Sequence, residues 1–177
     1  MNKTRRDFIK KSSVLGFSTL FPFNENILKM NTKIRTAHIG VGGMGLNDLK
    51  AISSHKNVEV AALCDVDSSL LNQAHKLYPK AKTFKDYRVL LNNLESEIDA
   101  VVISTPDHTH GPASIMAMKK GKAIYCQKPL TNNVIDAREM SNISSQKKLV
   151  TQMGIQVHSF YDYKLAKLLI QENIVGK

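Results

Sequence analysis

The sequence predicts an α/β fold in which a doubly wound parallel sheet carries helices on both faces. From Lys33 onward, short apolar runs alternate with helical patterns, and the first apolar run leads into a glycine-rich loop that opens a helix. The chain has 177 residues, 42% of them hydrophobic, which is enough for one ordinary domain with a packed core. Right-handed crossovers between such strands produce an open parallel sheet.

The first unit of this fold is a strand, a turn, a helix and a second strand. Ile34–Ile39 predicts the first strand and Val58–Leu63 predicts the second. Between them Leu46, Leu49 and Ile52 recur on one face of a helix. The length and order match a βαβ unit.

A glycine loop joins the first strand to the first helix. Gly40, Gly42 and Gly45 form the pattern G-x-G-x-x-G, with Gly43 and Met44 inside it. The first glycine permits a tight turn, the second lets the backbone approach a pyrophosphate, and the third lets the helix pack closely on the strand. Free N–H groups at the helix start then face the phosphates, so all five residues are candidate cofactor contacts.

Asp65 ends the second strand about twenty residues after Gly45, the distance expected for an acidic residue that binds a ribose diol. Its carboxylate would repel a 2′-phosphate, and the three residues after it include no Arg or Lys, which favours NAD over NADP. The alternative role for Asp65 is to cap a helix over Ser68–Leu77. Asp67 suits that role better.

The second half of the chain repeats the alternation of strand and helix. Asp99–Ser104 predicts a strand that is buried on both faces, and Gly121 ends the helical pattern after it. The later elements, in order, are a strand over Ala123–Cys126, a helix over Val134–Ile143, a short strand over Lys148–Thr151 and a helix over Asp162–Asn173.

Three unusual clusters follow the carboxyl ends of predicted strands: the glycine loop, "STPDHTH" and "QKP". Ligands of open parallel sheets bind outside these strand ends, where the strand order reverses. The second and third clusters add to the candidate cofactor contacts Ser104, Thr105, Pro106, His108, His110, Gln127 and Lys128.

Three of these residues have competing interpretations. Lys128 fits a solvated turn, but Pro129 restricts it to extended backbone and so directs the ammonium toward a site. His108 is more often a surface or capping residue. His110 fits two interpretations equally well: it could form part of the wall of a nicotinamide pocket, or it could have a purely structural role. No Cys, Asp or Glu cluster joins the two histidines, so the sequence does not predict a metal site.

The first thirty residues predict an export signal. "TRRDFIK" resembles the twin-arginine motif of proteins exported in the folded state, and an apolar stretch from Val14 to Phe23 follows it. About ten apolar residues are too few for a bilayer core that needs about twenty, so no transmembrane span is predicted. The expected location is the periplasm or cell envelope. A basic amphipathic helix is the alternative, and signal cleavage is left open.

The net charge of +10 does not predict nucleic-acid binding. Part of this charge comes from residues 1–11, where five basic residues outnumber one acidic residue, Asp7. The remaining lysines are scattered and form no stripe of Arg and aromatic residues on which bases could stack.

Cys64 and Cys126 are predicted to be free thiols. Each ends a separate strand, and in a doubly wound order two strands lie between theirs. Three strand spacings separate the two residues by about 14 Å. The limit for a disulfide is roughly 7 Å.

From Ile34 to Lys177 the sequence resembles the glucose–fructose oxidoreductase and inositol dehydrogenase (Gfo/Idh/MocA) family. The resemblance rests on the glycine loop, "ALCDVD", "DYRVLL", "DAVVISTPDHTHGP", "GKAIYCQKPL" and "QMGIQVHS". It implies an NAD(P)-binding Rossmann domain, a following α/β domain that covers the cofactor and often builds an oligomer interface, and a sugar or polyol substrate. It also implies that Lys128 is catalytic and lies against the nicotinamide, that Gln156 contacts the cofactor, and that the bond before Pro129 is cis.

Two departures from the family pattern affect these expectations. Gln127 stands where the family usually has Glu, so Lys128 is expected to be less strongly tethered. The chain also stops where the family's second domain, which holds a catalytic histidine, would begin. The expected segments are an export signal over 1–30, an NAD-binding domain over 31–152 and the incomplete start of a second domain over 153–177.

Three functions remain open at this point. The first is an exported NAD-dependent sugar or polyol oxidoreductase, expected to form a homo-oligomer when complete. The second is a glycosidase in which NAD transiently oxidises the sugar. The third is a non-catalytic nucleotide- or sugar-binding module, if the natural chain ends at Lys177.

Overall fold

A six-stranded parallel sheet organises the protein. The structure is a computed structural model that describes residues 33–174 and 176. The strands are β1 (Ile34–Ile39), β2 (Val58–Cys64), β3 (Lys82–Phe84), β4 (Ala100–Ile103), β5 (Ala123–Gln127) and β6 (Thr151–Gly154). Their order is β3-β2-β1-β4-β5-β6, and every neighbouring pair is parallel. The direction of winding reverses between β1 and β4, which confirms the doubly wound prediction.

Helices connect the strands. They are α1 (Met44–Ser53), α2 (Ser68–Leu77), α3 (Tyr87–Asn93), α4 (Asp107–Lys119), α5 (Val134–Lys147), a short 3₁₀ helix (Gln156–Ser159) and α6 (Tyr161–Gln171). Asp67 caps α2 by accepting hydrogen bonds from the N–H groups of Ser69 and Leu70. The preference for Asp67 over Asp65 as the cap is therefore confirmed.

The core consists of two clusters of buried side chains. One contains Ala37 and Ile39 of β1 together with Leu90 of α3 and Met140 of α5. The other includes Leu63 of β2 with side chains of α1 and α2. Because side chains alternate along a strand, the parallel sheet supplies apolar groups to helices on both of its faces.

Several predicted boundaries differ from the structure, and two elements were not predicted. The strand predicted over Lys148–Thr151 lies at Thr151–Gly154, because α5 continues to Lys147 and Lys148 ends it in the left-handed conformation with φ 53°. Helix α4 begins at Asp107, inside the stretch "STPDHTH", whereas the sequence predicts that the helix follows this stretch. Strand β3 and helix α3 were not predicted, since three and seven residues are too few to show a period.

Ion pairs lie along the amino-end edge of the sheet. Arg35 donates from Nη2 to Asp99 Oδ1 at 2.8 Å and from Nε to Asp99 Oδ2 at 3.0 Å, joining β1 to the residue that precedes β4. The hydrogen bonds from Arg35 lower the pKa of Asp99. Two further pairs, Lys82–Glu97 and Lys120–Glu95, occupy the same edge. This edge is distinct from the one where ligands of such sheets bind.

Both cysteines are buried free thiols, as predicted. Strands β1 and β4 lie between β2, which ends at Cys64, and β5, which contains Cys126. Burial raises the pKa of Cys64 to about 12, with a smaller contribution from the neighbouring Asp65 carboxylate, and burial also raises the pKa of Cys126. Neither thiol is poised to act as a nucleophile.

The predicted export signal lies outside the described residues. Within residues 33–174, no helix has both the length and the apolar character that crossing a membrane requires.

Candidate cofactor site

A cavity of about 910 Å³ opens at the carboxyl ends of β1, β2 and β4. Sequence-predicted residues lining it are Gly40, Gly42, Asp65, Ser104, Thr105, Pro106 and His108. Several separate stretches of the chain therefore meet where the strand order reverses. An elongated ligand such as a dinucleotide binds across this position in doubly wound sheets.

The glycine loop lines the cavity because its backbone packs more closely than side chains permit. Gly40 has φ +82°, and a Cβ there would lie 2.6 Å from the carbonyl oxygen of Ser104. A Cβ on Gly45 would lie 2.1 Å from the carbonyl oxygen of Gly40. Gly43 precedes α1 and offers no side-chain cap. The Gly45 N–H donates to the Gly42 carbonyl oxygen at 2.8 Å, so the other N–H groups of the first helical turn are the ones left for phosphate oxygens. The loop fits the pyrophosphate of NAD.

The Asp65 carboxylate connects the end of β2 to the glycine loop. Its Oδ2 accepts a hydrogen bond from the Val41 N–H at 2.9 Å, and its Oδ1 accepts one from the Asp67 N–H at 2.9 Å. Each carboxylate oxygen has a further lone pair, so Asp65 retains the capacity to accept from two ribose hydroxyls. Asp65 thus both shapes the loop and faces the cavity.

Four cavity residues, Lys85–Arg88, were missed because they follow the short strand β3. Arg88 lies against Asp86, with Nη2 at 2.9 Å from Oδ2 and Nε at 3.0 Å from Oδ1, and its guanidinium lies 5.3 Å from the centroid of the Tyr87 ring. These hydrogen bonds lower the pKa of Asp86. "DYRVLL" contributed to the resemblance, but only the pairing of β3 with β2 brings it near Asp65.

Lys128 is exposed immediately after β5, at the same edge of the sheet but outside the lining of the cavity. The Lys128–Pro129 peptide bond is cis, as the resemblance implied. Gln127 is only 5% exposed, and its Oε1 accepts a hydrogen bond from the Lys128 N–H at 3.3 Å. Gln127, which is buried, and Pro129, which is exposed, therefore flank the lysine and restrict its backbone.

The structure gives the two histidines of "STPDHTH" different surroundings. His108 is exposed and lines the cavity. His110 is 1% exposed, with Nδ1 2.6 Å from the Pro129 carbonyl oxygen and Nε2 2.7 Å from the Thr105 carbonyl oxygen. Both ring nitrogens are thus engaged beneath the surface, and the ring joins the loop after β4 to the segment after β5. Its position is that of a support for the two loops.

Met44 and Gln156 meet beside the glycine loop. The Gln156 side chain donates from Nε2 to the Met44 sulfur at 3.6 Å, which places the start of the 3₁₀ helix against the start of α1. Neither residue lines the cavity, nor do Gly43 and Gly45. Among the residues that the structure describes, no three His, Cys, Asp or Glu side chains converge in a way that could hold a metal ion.

Comparison with known proteins matches this arrangement to a family. Residues 34–155 match the Gfo/Idh/MocA family model, described as an oxidoreductase family with an NAD-binding Rossmann fold. The match begins at the first residue of β1, ends just after β6 and covers more than half of the chain.

Individual relatives cover the same region. The chain is 36% identical over 132 residues to a glycosyl hydrolase family 109 protein of Stenotrophomonas maltophilia, covering 70% of this chain and 29% of the relative. It is 30% identical over 148 residues to an inositol 2-dehydrogenase/D-chiro-inositol 3-dehydrogenase of Lactiplantibacillus plantarum, covering 78% and 40%.

A solved structure shows the same fold. The crystal structure of myo-inositol 2-dehydrogenase from Lactobacillus plantarum superposes with a TM-score of 0.74 at 26% identity, covering 82% of this chain and 43% of that one. The chain thus spans less than half the length of these relatives. The glycine loop, the reversal of strand order and the family match agree, and the chain belongs to the Gfo/Idh/MocA oxidoreductase family, with an NAD-binding Rossmann domain.

Proposed function

We propose that this chain is the cofactor-binding half of an NAD-dependent oxidoreductase that acts on a sugar, a polyol or a related carbohydrate. The observation that carries the proposal is Lys128, which is exposed at the sheet edge that also holds the NAD cavity and follows the buried Gln127. Similarity to inositol dehydrogenases supports a polyhydroxylated substrate. Most contacts with the substrate would come from a further domain, as the family resemblance implies.

Each part of the chain has a role in this proposal. Bound NAD supplies an acceptor for a hydride from the substrate carbon. The N–H groups at the start of α1 bind the pyrophosphate, and the Asp65 carboxylate accepts hydrogen bonds from the ribose diol. Lys128 donates a hydrogen bond to the substrate hydroxyl and stabilises negative charge as it develops on that oxygen. His110 joins the loop after β4 to the segment after β5, and Gln127 supports the backbone of Lys128.

Replacement of Lys128 tests the proposal in the complete enzyme. We expect Lys128→Ala to reduce kcat by at least about a hundredfold, the usual contribution of a positioned proton-transfer group. The dissociation constant of NAD should change by less than about threefold, because Lys128 does not line the cofactor cavity. Steady-state kinetics and NAD titration measure the two effects.

Lys56→Ala, in an exposed turn before β2, is the matched control for the loss of one surface lysine. If Lys128→Ala retained the turnover of this control, Lys128 would be a solvated turn residue and the proposed role would be wrong.

A glycosidase is the second candidate, favoured by the similarity to a glycosyl hydrolase family 109 protein. In that reaction NAD would oxidise the sugar transiently and return the hydride, with no net redox change. A chromogenic glycoside distinguishes the two functions. Release of the aglycone that requires NAD but accumulates no NADH supports the glycosidase, whereas NADH accumulation with a free sugar or polyol supports the oxidoreductase.

We also propose that the protein is exported in the folded state to the periplasm or cell envelope, on the strength of "TRRDFIK". The double substitution Arg5→Lys, Arg6→Lys should retain the protein in the cytoplasm on cell fractionation. An unchanged distribution would exclude the twin-arginine route. The expected homo-oligomer also stays a prediction.

A further inference from the structure

Asp48 of α1 is a buried carboxylate that the cofactor pattern does not explain. It is 8% exposed and is the only Asp or Glu among the buried residues of the described chain, 33–174 and 176. Its Oδ2 accepts a hydrogen bond from Ser104 Oγ at 2.7 Å and another from Gln127 Nε2 at 2.9 Å. One oxygen atom therefore binds donors at the ends of two neighbouring strands, β4 and β5.

No cation accompanies this carboxylate among the ion pairs of the described residues, which all involve other acids. A buried carboxylate is costly unless its hydrogen-bonding capacity is used, so the two contacts are essential to its accommodation. Burial raises the pKa of the adjacent Tyr125, and the negative charge of Asp48 adds to that rise.

The Ser104 contact connects Asp48 to the glycine loop. The Ser104 carbonyl oxygen is the atom that a Cβ on Gly40 would approach to 2.6 Å, and Ser104 Cβ would lie 3.2 Å from a Cβ on Gly45. Ser104 is thus held between the first and third glycines. A shift of its side chain would move backbone that the pyrophosphate must approach.

The Gln127 contact connects Asp48 to the lysine segment. With Nε2 donating to Asp48, Gln127 presents Oε1 to the Lys128 N–H at 3.3 Å. Gly154 of β6 leaves room for this amide, since a Cβ there would lie 2.9 Å from Gln127 Nε2 and Cδ. The orientation of the Gln127 amide is therefore set by Asp48 and allowed by Gly154.

We propose that Asp48 is a positioning residue of the cofactor site, which holds Ser104 against the glycine loop and Gln127 beneath Lys128. The effect on the glycine loop concerns NAD binding alone and goes beyond the proposed function. The effect on Lys128 rests on that function. If the complete enzyme lacked the proposed activity, the lysine role would fall, whereas the effect of Asp48 on NAD binding would stand or fall by its own measurement.

The test measures the dissociation constant of NAD by calorimetry for a set of matched variants. Asp48→Ala removes both hydrogen bonds and should weaken NAD binding by about tenfold, the equivalent of one lost hydrogen bond to a charged group. Gln127→Glu places two carboxylates in buried contact and should weaken binding by a similar factor. In the double variant Asp48→Asn, Gln127→Glu, the amide and the carboxylate exchange places, and we expect binding within about threefold of the wild type.

Ile98→Val is the control for a general loss of stability. Ile98 is 1% exposed and lies before β4, at the opposite end of the sheet from the cavity. It should lower Tm by a few degrees without changing NAD affinity, when all proteins are compared well below their unfolding temperatures. This comparison separates positioning from stability.

Two results would overturn the proposal. If Asp48→Ala lowered Tm but bound NAD as tightly as Ile98→Val, Asp48 would be purely structural. If the double variant bound NAD no better than Gln127→Glu alone, the hydrogen bond between residues 48 and 127 would not be what keeps residue 48 in place against Ser104.

Discussion

Asp65 illustrates how one side chain can serve both the protein and its cofactor. Its carboxylate accepts hydrogen bonds from the N–H groups of Val41 and Asp67 before any ligand is considered. Each carboxylate oxygen keeps a further lone pair, and Asp65 lines the cavity, so it can also accept from the hydroxyls of a ribose diol. A 2′-phosphate at that position would meet a fixed negative charge.

Asp65→Ala is therefore expected to weaken NAD binding by about tenfold or more and to narrow the difference between NAD and NADP. The ratio of the two dissociation constants is the informative measurement, because loss of the Val41 contact affects both cofactors. Asn133→Ala is the control: it removes the cap of α5, which lies outside the lining of the cavity, and costs about 1 kcal/mol of stability but should leave the ratio unchanged. Equal affinities for NAD and NADP in the wild type would contradict the argument.

At this scale, sequence reasoning succeeds where a residue acts through its neighbours in the chain. The spacing of the glycines and Asp65 is local and was predicted. The partners of Asp48 and His110 lie 79 and 19 residues away, at Gln127 and Pro129 respectively, and depend on strand order. An Asp beside Leu49 on the inward face of α1 is the one sequence feature that could have indicated the first of these contacts.

At the scale of the elements, two glycines near the start of α1 lie against different groups, one against backbone and the other against a side chain. A Cβ on Gly45 meets the backbone of Gly40 at 2.1 Å, and backbone there cannot move without opening the loop. A Cβ on Gly42 meets only the tip of the Leu70 side chain, at 2.5 Å, which can rotate away. The two positions should therefore respond differently to alanine.

We expect Gly45→Ala to lower the free energy of unfolding by at least about 2 kcal/mol, since overpacking outweighs the gain of about 1 kcal/mol in helix propensity. Gly42→Ala should change it by less than about 1 kcal/mol yet weaken NAD binding, because its methyl group occupies the approach of the pyrophosphate. Urea unfolding and NAD titration separate the two effects. Equal stability of the two variants would show that α1 does not depend on close approach at Gly45.

The elements that sequence reasoning predicted well are those with a long period or a strong terminus. The predicted strand Ile34–Ile39 and the helix predicted from about Ser68 to Leu77 match the structure, because a glycine loop ends one and Asp67 begins the other. Strand β3 has a single neighbour and three residues, so nothing in its composition distinguishes it from a loop. Strand β6 was misplaced because Lys148 adopts a left-handed conformation that glycine normally occupies.

At the scale of the whole molecule, a buried histidine in the centre of the sheet makes the stability of the fold depend on pH. His38 of β1 is 1% exposed, and its Nε2 lies 3.0 Å from Thr36 Oγ1. Thr36 Oγ1 itself donates to the Glu59 carbonyl oxygen, so Nε2 carries the hydrogen in the neutral ring. Burial lowers the pKa of His38 to about 4, so the folded protein resists its protonation.

The unfolded chain protonates His38 near pH 6.5, so its neutral form stabilises the fold fully above that pH. This stability is lost as the pH falls from 6.5 toward the folded pKa of about 4, by about 3 kcal/mol in total. Chemical unfolding at several pH values measures the loss. His38→Gln, which can still donate to Thr36, should be less stable at pH 7 but should lack this part of the decline. Parallel curves for the two proteins would contradict the assignment.

The two ends of the strands carry different features of the molecule. Arg35–Asp99, Lys82–Glu97 and Lys120–Glu95 lie at the amino ends of the strands, while the glycine loop, Asp65 and Lys128 lie at the carboxyl ends. For protein engineering, this separation makes the amino-end edge the natural site for tethering, labelling or charge redesign. Changes made there alter how the domain is anchored or crystallised and leave the cofactor cavity undisturbed.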